Sequence, residues 1–410
     1  MQKLEQLLLD ALNPATLLAE ERLAGLTPEQ WQAWMALAKV QRVTPLLWHR
    51  LRQKEAAMLL PAALQAELKA SLTRTAMQNL RRYGELRRFL TAAQEEQIPV
   101  VLLKGIYLAD AVYGNAGLRE MTDIDLLVPA ECLQRAAAIL ITMGYQPLQP
   151  ICPELVLKTN HHLPPLIKQG HANFEIHWNL LDPDEPGYVS PEGFLQRAVP
   201  VQVAGCAALA LSPEDLLLHL CYHTSFHHHF AFGLRPSCDI AVVIEQFGPR
   251  LDWQVMTDRA SEFGWQRGVY LALCLARDLV GAAVPEKVLK GLQAVEMKAD
   301  IAELARRQIF SEKEIAREVT ISFAQLAAAT SLAGKMRIFW QRVFLTREQL
   351  AVRYELPADS RWLYACYPRR VFDLLRNNGN RFRQIRGGDQ QLCGIVTRKK
   401  QIIDWLGGAH

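Results

Sequence analysis

Hydrophobic positions in the first hundred residues recur at intervals of three and four, the signature of helices with one buried face. MQKLEQLLLDALNP reads as an amphipathic helix. TPEQWQAWMALAKV is another, opened by a Thr27 cap with Pro28 at the first helical position and Gln30 closing the box. From Pro61 to Gln97 a long helical pattern runs with Gly84 as its only breaker. The texture changes at Ile98. IPVVLL is a continuous β-branched and aliphatic run, typical of a buried strand, and it stops at Lys104-Gly105 before IYLADAVYG resumes helical spacing. TDIDLLVP predicts a second buried strand. AECLQRAAAILITMG predicts a helix closed by Gly144, with a further strand starting near Tyr145. HHLPPLI and NFEIHWNL flank the turn-like KQGHA and predict a hairpin. From Ser212 the helical texture returns: SPED caps a helix leading into LLLHLCYH, and RPSCDIAVVIEQFG, LDWQVMTDRASEFG and WQRGVYLALCLARDLVG follow with glycine stops.

The expected organisation is α+β: a helical region over residues 1–97, a mixed α/β core over 98–204, a helical domain over 205–350 and a tail over 351–410. A chain of 410 residues, half of them hydrophobic, is long enough for two or three domains with a substantial core. Its apolar stretches fall short of the roughly 18–20 residues that span a bilayer, and charges interrupt the N-terminal apolar run, so the expectation is a cytoplasmic protein without a transmembrane helix. The eight cysteines have neither CxxC pairs nor regular spacing and read as reduced core thiols. The formal charge of +4 is unevenly placed. Residues 351–410 hold 11 Lys and Arg against 5 Asp and Glu, a surplus of 6, which leaves about −2 upstream.

The chemistry gathers in the mixed core. Asp123 and Asp125 sit inside an apolar run where an unpaired carboxylate is costly. On an extended strand they share one face, about 7 Å apart at Cα, with Ile124, Leu126 and Val128 on the other. Two like charges on one face call for a cation between them, and hard ions such as Mg²⁺ take oxygen ligands. Glu175 alternates with Phe174 and Ile176, shares a face with His177, and is placed to reach the same point from a neighbouring strand. Three carboxylates on adjacent strands make a platform for two Mg²⁺ ions, suited to phosphoryl or nucleotidyl transfer. The Lys104-Gly105 turn adds a cation and a close backbone approach for a triphosphate, and Arg119 is placed to touch phosphate.

These segments resemble a known family. LLKGIYLADAVYG, R-x-x-x-DIDLLV, the helix ending in MGY, and FEIHW are similar to the uncharacterised nucleotidyltransferase family within the DNA polymerase beta-like superfamily. The resemblance is strong over about residues 98–180 and fainter over 205–260. It implies a minimal nucleotidyltransferase fold, an NTP donor with ATP among the candidates, and two Mg²⁺ ions. On matching positions it implies metal ligation by Asp123 and Asp125, a third carboxylate at Glu175, and a triphosphate lined by Lys104 and Gly105. The turn departs from the superfamily at large, which has Gly followed by Gly or Ser where this chain has Lys104-Gly105-Ile106.

Outside the core, His219, His223 and His227 recur every four residues, with His228 and His229 beyond. Such spacing can chelate zinc. The favoured reading is an acceptor-side wall containing His177 and His223, with Arg235 and Asp239 as ionic neighbours. The tail RWLYACYPRRVFDLLRNNGNRFRQIRGG interleaves aromatics with Arg. It reads as a solvated helix face with its aromatics folded onto the body, or as a contact for an acidic partner such as RNA, a carrier protein or anionic lipid. The sequence thus predicts transfer of NMP from an NTP to an unidentified acceptor. Two other classes stay open: a degenerate nucleotide- or partner-binding module, and a zinc hydrolase centred on the histidine helix.

Overall fold

In the computed structural model the described residues are 2–293 except 19, 184 and 186, together with 300–311, 336, 340, 343–354, 356, 360–386 and 390–407. They fall into two compact units, one of residues 1–227 with 233–296, the other of 228–232 with 297–410.

The first unit begins with helices. α1 (Gln2–Leu12), α2 (Glu20–Ala24), α3 (Pro28–Val40), α4 (Thr44–Gln53) and α5 (Ala62–Glu95) occupy the stretch whose periodicity predicts them. The α3 cap has the expected reciprocal form: Gln30 N–H donates to Thr27 Oγ1 at 3.3 Å, and Thr27 N–H to Gln30 Oε1 at 3.0 Å.

A seven-stranded mixed sheet follows, in the order β3-β4-β5-β2-β1-β7-β6. Its strands are β1 (Val101–Leu102), β2 (Asp123–Leu127), β3 (Gln146–Pro147), β4 (Leu166–Ile167), β5 (Asn173–His177), β6 (Val199–Val203) and β7 (Cys206–Ala210). The expected hairpin is present as β4 antiparallel to β5, with Leu166 opposite Phe174. β6 and β7 form a second hairpin, and β7 runs parallel to β1. Its turn, Ala204-Gly205, has φ of 53° and 77°. The sheet therefore extends to Ala210, and the expected boundary at residue 204 falls inside that turn.

One face of the central strands is apolar. Ile124, Leu126, Phe174 and Ile176 are fully buried, and Phe174 meets Phe89 of α5 at 5.7 Å and Tyr145 at 5.1 Å between ring centroids. The opposite face, by strand alternation, belongs to Asp123, Asp125, Glu175 and His177.

Short helices α6 (Lys104–Tyr107), α7 (Leu133–Thr142), α8 (Pro153–Thr159) and α9 (Pro191–Gln196) connect the strands. α10 (Pro213–Tyr222), α11 (Arg235–Phe247), α12 (Trp253–Glu262), α13 (Gln266–Val280) and α14 (Glu286–Leu292) complete the unit. The Ser212 hydroxyl caps α10 by accepting from Asp215 N–H at 3.3 Å, as SPED predicts. Asp215 itself is fully buried and holds Arg197 at 2.8 Å and Arg259 at 3.0 Å.

In the second unit α15 (Ile301–Ile309) packs against a helix over Gln390–Leu406. Leu350, Ala351, Leu363 and Cys366 form a small apolar cluster. The tail's aromatics divide: Tyr367 packs on that cluster and donates to the Leu345 carbonyl at 3.0 Å, whereas Trp362, Tyr364 and Phe372 are exposed rather than folded inward. Arginines take their ring faces instead, Arg347 over Tyr364 at 5.6 Å and Arg376 over Phe372 at 5.9 Å. The side chains of residues 377–391, which include much of the tail's basic run, lie outside the described residues.

Five of the eight cysteines are buried, none of the eight forms a disulfide, and Cys152 is exposed just ahead of α8, so it is not a core thiol. Among the described residues no helix is long and apolar enough to cross a membrane.

Candidate active site

Register assembles the acidic face. β2 and β5 are parallel with Asp125 opposite Glu175, which sets two carboxylates side by side from residues fifty apart in sequence. β1 runs antiparallel to β2 with Leu102 opposite Leu126, and Leu103 N–H donates to the Asp125 carbonyl at 3.1 Å. The next residue, Lys104, thereby arrives at Asp125. Its Nζ lies 3.0 Å from Asp125 Oδ1, and the same oxygen meets His177 Nε2 at 3.2 Å. His177 Nε2 also stands 3.9 Å from Glu175 Oε2.

Asp125, Glu175 and His177 each offer one donor atom within 4.8 Å of the others, and among the described residues they are the only such group of three or more. Asp123 lies two residues up the same strand, half-buried and outside that group. His219, His223 and His227 do not form a comparable set of donors, so the geometry gives no support to a zinc centre on the histidine helix.

The charges of this cluster strain against one another. Burial and the Asp125 charge push the Glu175 carboxyl up to about 7. For Asp125 burial acts in the same direction, but Lys104 and His177 outweigh it and hold the group well below the usual carboxylate range. Burial disfavours the Lys104 ammonium, yet Asp125 and Glu175 raise it above the ordinary lysine value. A divalent cation beside Glu175 would relieve the carboxylate repulsion. Two carboxylates and an imidazole on one face fit such an ion.

Lys104 carries the strain in its backbone. Its φ is +45°, uncommon for a residue with a side chain. The glycine beside it has a different duty from the one the turn chemistry suggests. Gly105 is absent from the positive-φ residues; a Cβ there would stand 2.4 Å from Arg119 Nη1 and 3.0 Å from Met121 Cβ. It is glycine because a guanidinium packs against its Cα. Gly105→Ala is expected to push Arg119 aside and lower stability by about 1–3 kcal/mol, the usual range for overpacking. Chemical denaturation reads this; an unchanged midpoint would show that Arg119 moves freely.

Arg119 is placed differently from the phosphate-facing position expected of it. Its Nε and Nη2 donate to the two oxygens of Asp239 at 2.8 Å each, both side chains are buried, and Tyr113 Oη donates to Asp239 Oδ1 at 2.8 Å. Asp239 is thus the anchor of Arg119. Arg235, also expected beside the histidines, donates from Nη1 to the Glu120 carbonyl at 3.0 Å, and burial followed by the Arg119 charge lowers it to about 10. Asp123 acts the other way on both Arg235 and Arg82 of α5, which places those two cations within electrostatic reach of it.

The histidines form a chain of ring contacts leading from the acidic face. Between centroids, His177 to His161 is 5.2 Å, His161 to His227 is 5.5 Å, His227 to His223 is 5.3 Å and His223 to His219 is 5.8 Å. His162 joins at 5.2 Å from His177, to which it is bridged as an antiparallel backbone partner. His161 Nδ1 meets Asp182 Oδ1 at 2.5 Å. Sequence reasoning missed His161, His162 and Arg82. The HH doublet ahead of the β4–β5 hairpin was the available signal for the first two, and nothing in the long α5 pattern distinguishes Arg82 from its neighbours.

Burial lowers His219 to about 3 and His227 to about 4. Each stays neutral in the fold where an unfolded histidine, with its ordinary value of 6.5, takes a proton. The unfolded state binds more protons, so stability is lost as pH falls from 6.5 toward 3, at about 1.4 kcal/mol per unit for His219. Melting temperature should fall over that window, and less steeply in His219→Gln; equal slopes would refute it.

The chain belongs to the uncharacterised nucleotidyltransferase family, whose model matches residues 27–281, more than half its length. Two solved structures of the antibiotic-resistance factor ANT(2'')-Ia are similar in part. The solution structure is 15% identical with a TM-score of 0.34, covering 49% of this chain and 98% of that one. The crystal structure in complex with adenylyl-2''-tobramycin is 17% identical with a TM-score of 0.32, covering 44% and 95%. No curated protein matches the chain.

Proposed function

We propose that the protein transfers NMP from an NTP to an acceptor hydroxyl or phosphate. The acceptor oxygen forms a bond to the α-phosphorus in line with the departing pyrophosphate, whose bond to that phosphorus breaks. Asp123, Asp125 and Glu175 would hold two divalent cations, with Mg²⁺ the ion expected of oxygen ligands. When bound, these supply charge neutralisation and activation of the attacking hydroxyl. Glu175 would complete the nucleophile-side position or take the acceptor's proton. Lys104 offsets triphosphate charge beside Gly105. Arg82 and Arg235 are better candidates for further phosphate contacts than Arg119, which Asp239 already occupies. His177 and the imidazoles that follow it through His223 line the acceptor side.

The observation that carries this reading is the parallel register of Asp125 with Glu175, with a histidine donor completing the set, in a chain of this family. Titration with each NTP, with and without Mg²⁺, followed by detection of pyrophosphate and labelled acceptor, tests it. Mg²⁺-dependent NTP binding with pyrophosphate release supports transfer. Binding without release from any acceptor mixture would favour the degenerate module.

A further inference from the structure

Resting on that reading, we propose that His177 is a nitrogen ligand of the nucleophile-side ion, so that the position bounded by Asp125, Glu175 and His177 takes a first-row transition ion such as Mn²⁺ in preference to Mg²⁺. The two cation positions then differ in kind. Asp123 and Asp125 offer only oxygen on the triphosphate side, while the other position offers two oxygens and an imidazole.

Two observations carry this. His177 Nε2 is the atom turned to both carboxylates, 3.2 Å from Asp125 Oδ1 and 3.9 Å from Glu175 Oε2, and its donor lies within 4.8 Å of theirs. The ring is 2% exposed, and His161 and His162 pack on it at 5.2 Å each, which holds its orientation toward the carboxylates.

Chemistry then sets the ion. Mg²⁺ favours all-oxygen octahedra and keeps its waters, whereas one imidazole among carboxylates shifts preference toward first-row transition ions, of which Mn²⁺ is the one that also accepts hard oxygen donors. Lys104 sets the order of events. Its ammonium lies 3.0 Å from the same Asp125 oxygen, so an ion arriving there must displace it, and a triphosphate offers it the alternative partner. Ion binding at this position should therefore strengthen when nucleotide is present.

The test uses MnCl₂ as probe on the full chain, with and without ATP, in a large excess of Mg²⁺. Bound Mn²⁺ is read by electron paramagnetic resonance, and its ligands by nitrogen spin-echo modulation in protein carrying ¹⁵N-histidine. The expected result is Mn²⁺ retained at about a tenfold or greater preference over Mg²⁺, with histidine nitrogen modulation that His177→Gln removes. The glutamine amide oxygen still offers a hard donor, so that variant should keep binding ions while its preference for Mn²⁺ falls about tenfold. Should it fail to fold, the isotope-labelled wild-type spectrum decides alone. Mn²⁺ bound without nitrogen modulation, or modulation that survives His177→Gln, would overturn the ligand assignment and leave the transfer reading standing. No Mn²⁺ bound against the Mg²⁺ excess would overturn the ion preference and leave the transfer reading standing; no Mn²⁺ bound with or without ATP when Mg²⁺ is omitted would overturn both.

Discussion

Asp125→Asn is expected to abolish nucleotidyl transfer, by about a thousandfold or more, and to destabilise the fold as well, whereas Asp123→Asn should lose activity with little change in stability. Loss of a ligand to a catalytic cation removes several kcal/mol of transition-state stabilisation, and each ~1.4 kcal/mol is tenfold in rate. From sequence alone the two aspartates are equivalent, and both substitutions look harmless to folding. The structure separates them. Asp125 is 3% exposed and holds Lys104, itself almost enclosed, at 3.0 Å. Removing that charge leaves a buried ammonium without its partner, at a cost of up to about 3–5 kcal/mol, less whatever Lys104 recovers by shedding its proton. Asp123 is half-buried and makes no ion pair among the described residues. Pairing Asp125→Asn with Lys104→Met removes both charges, so the double variant should regain stability but not activity. Wild-type turnover in Asp123→Asn or in the double variant would remove the carboxylates from the mechanism.

Much of this site was legible because strand alternation is rigid. A period of two fixes which side chains share a face, so Asp123 with Asp125, and Glu175 with His177, followed from the pattern alone. That β2 and β5 are neighbours is an expectation drawn from the third carboxylate, which the family resemblance also implies at Glu175, and the register bears it out. What the pattern lacks is the third dimension at the turn and the helices. Arg119, four residues before Asp123, was read as a free cation because nothing local marks its partner, Asp239, 120 residues downstream. Gly105 was read through what glycine does for a ligand, although its neighbour in space is a guanidinium. The β6–β7 hairpin was passed over because VAGCAALAL has the composition of a generic apolar stretch, and its strand identity comes from pairing with β1. Long-range pairing decides all three, and one chain's periodicity carries no record of it.

The same reasoning gives Arg119 and Asp239 the second large effect, this time on stability. A bidentate pair at 2.8 Å with both side chains under a tenth exposed, and with Tyr113 donating to the same carboxylate, loses most when one partner is cut away. Asp239→Asn or Arg119→Met should cost about 3–5 kcal/mol. In a unit of this size each kcal/mol moves the melting temperature by about 2–4 °C, so a fall of roughly 6–20 °C is expected. Arg119→Lys keeps the charge but not the paired donors and should recover only part of it. The loss should reach the active site indirectly, because Arg119 backs Gly105 and Asn79 ties the Arg119 carbonyl to α5 at 2.8 Å. This separates the pair's structural duty from phosphate recognition. If Arg119 instead gripped the triphosphate, Arg119→Met would raise the KM for NTP many-fold while leaving the melting temperature near wild type. Assayed well below its melting point, the variant is expected to show the reverse: a KM close to wild type, reduced kcat, and a fold that melts early.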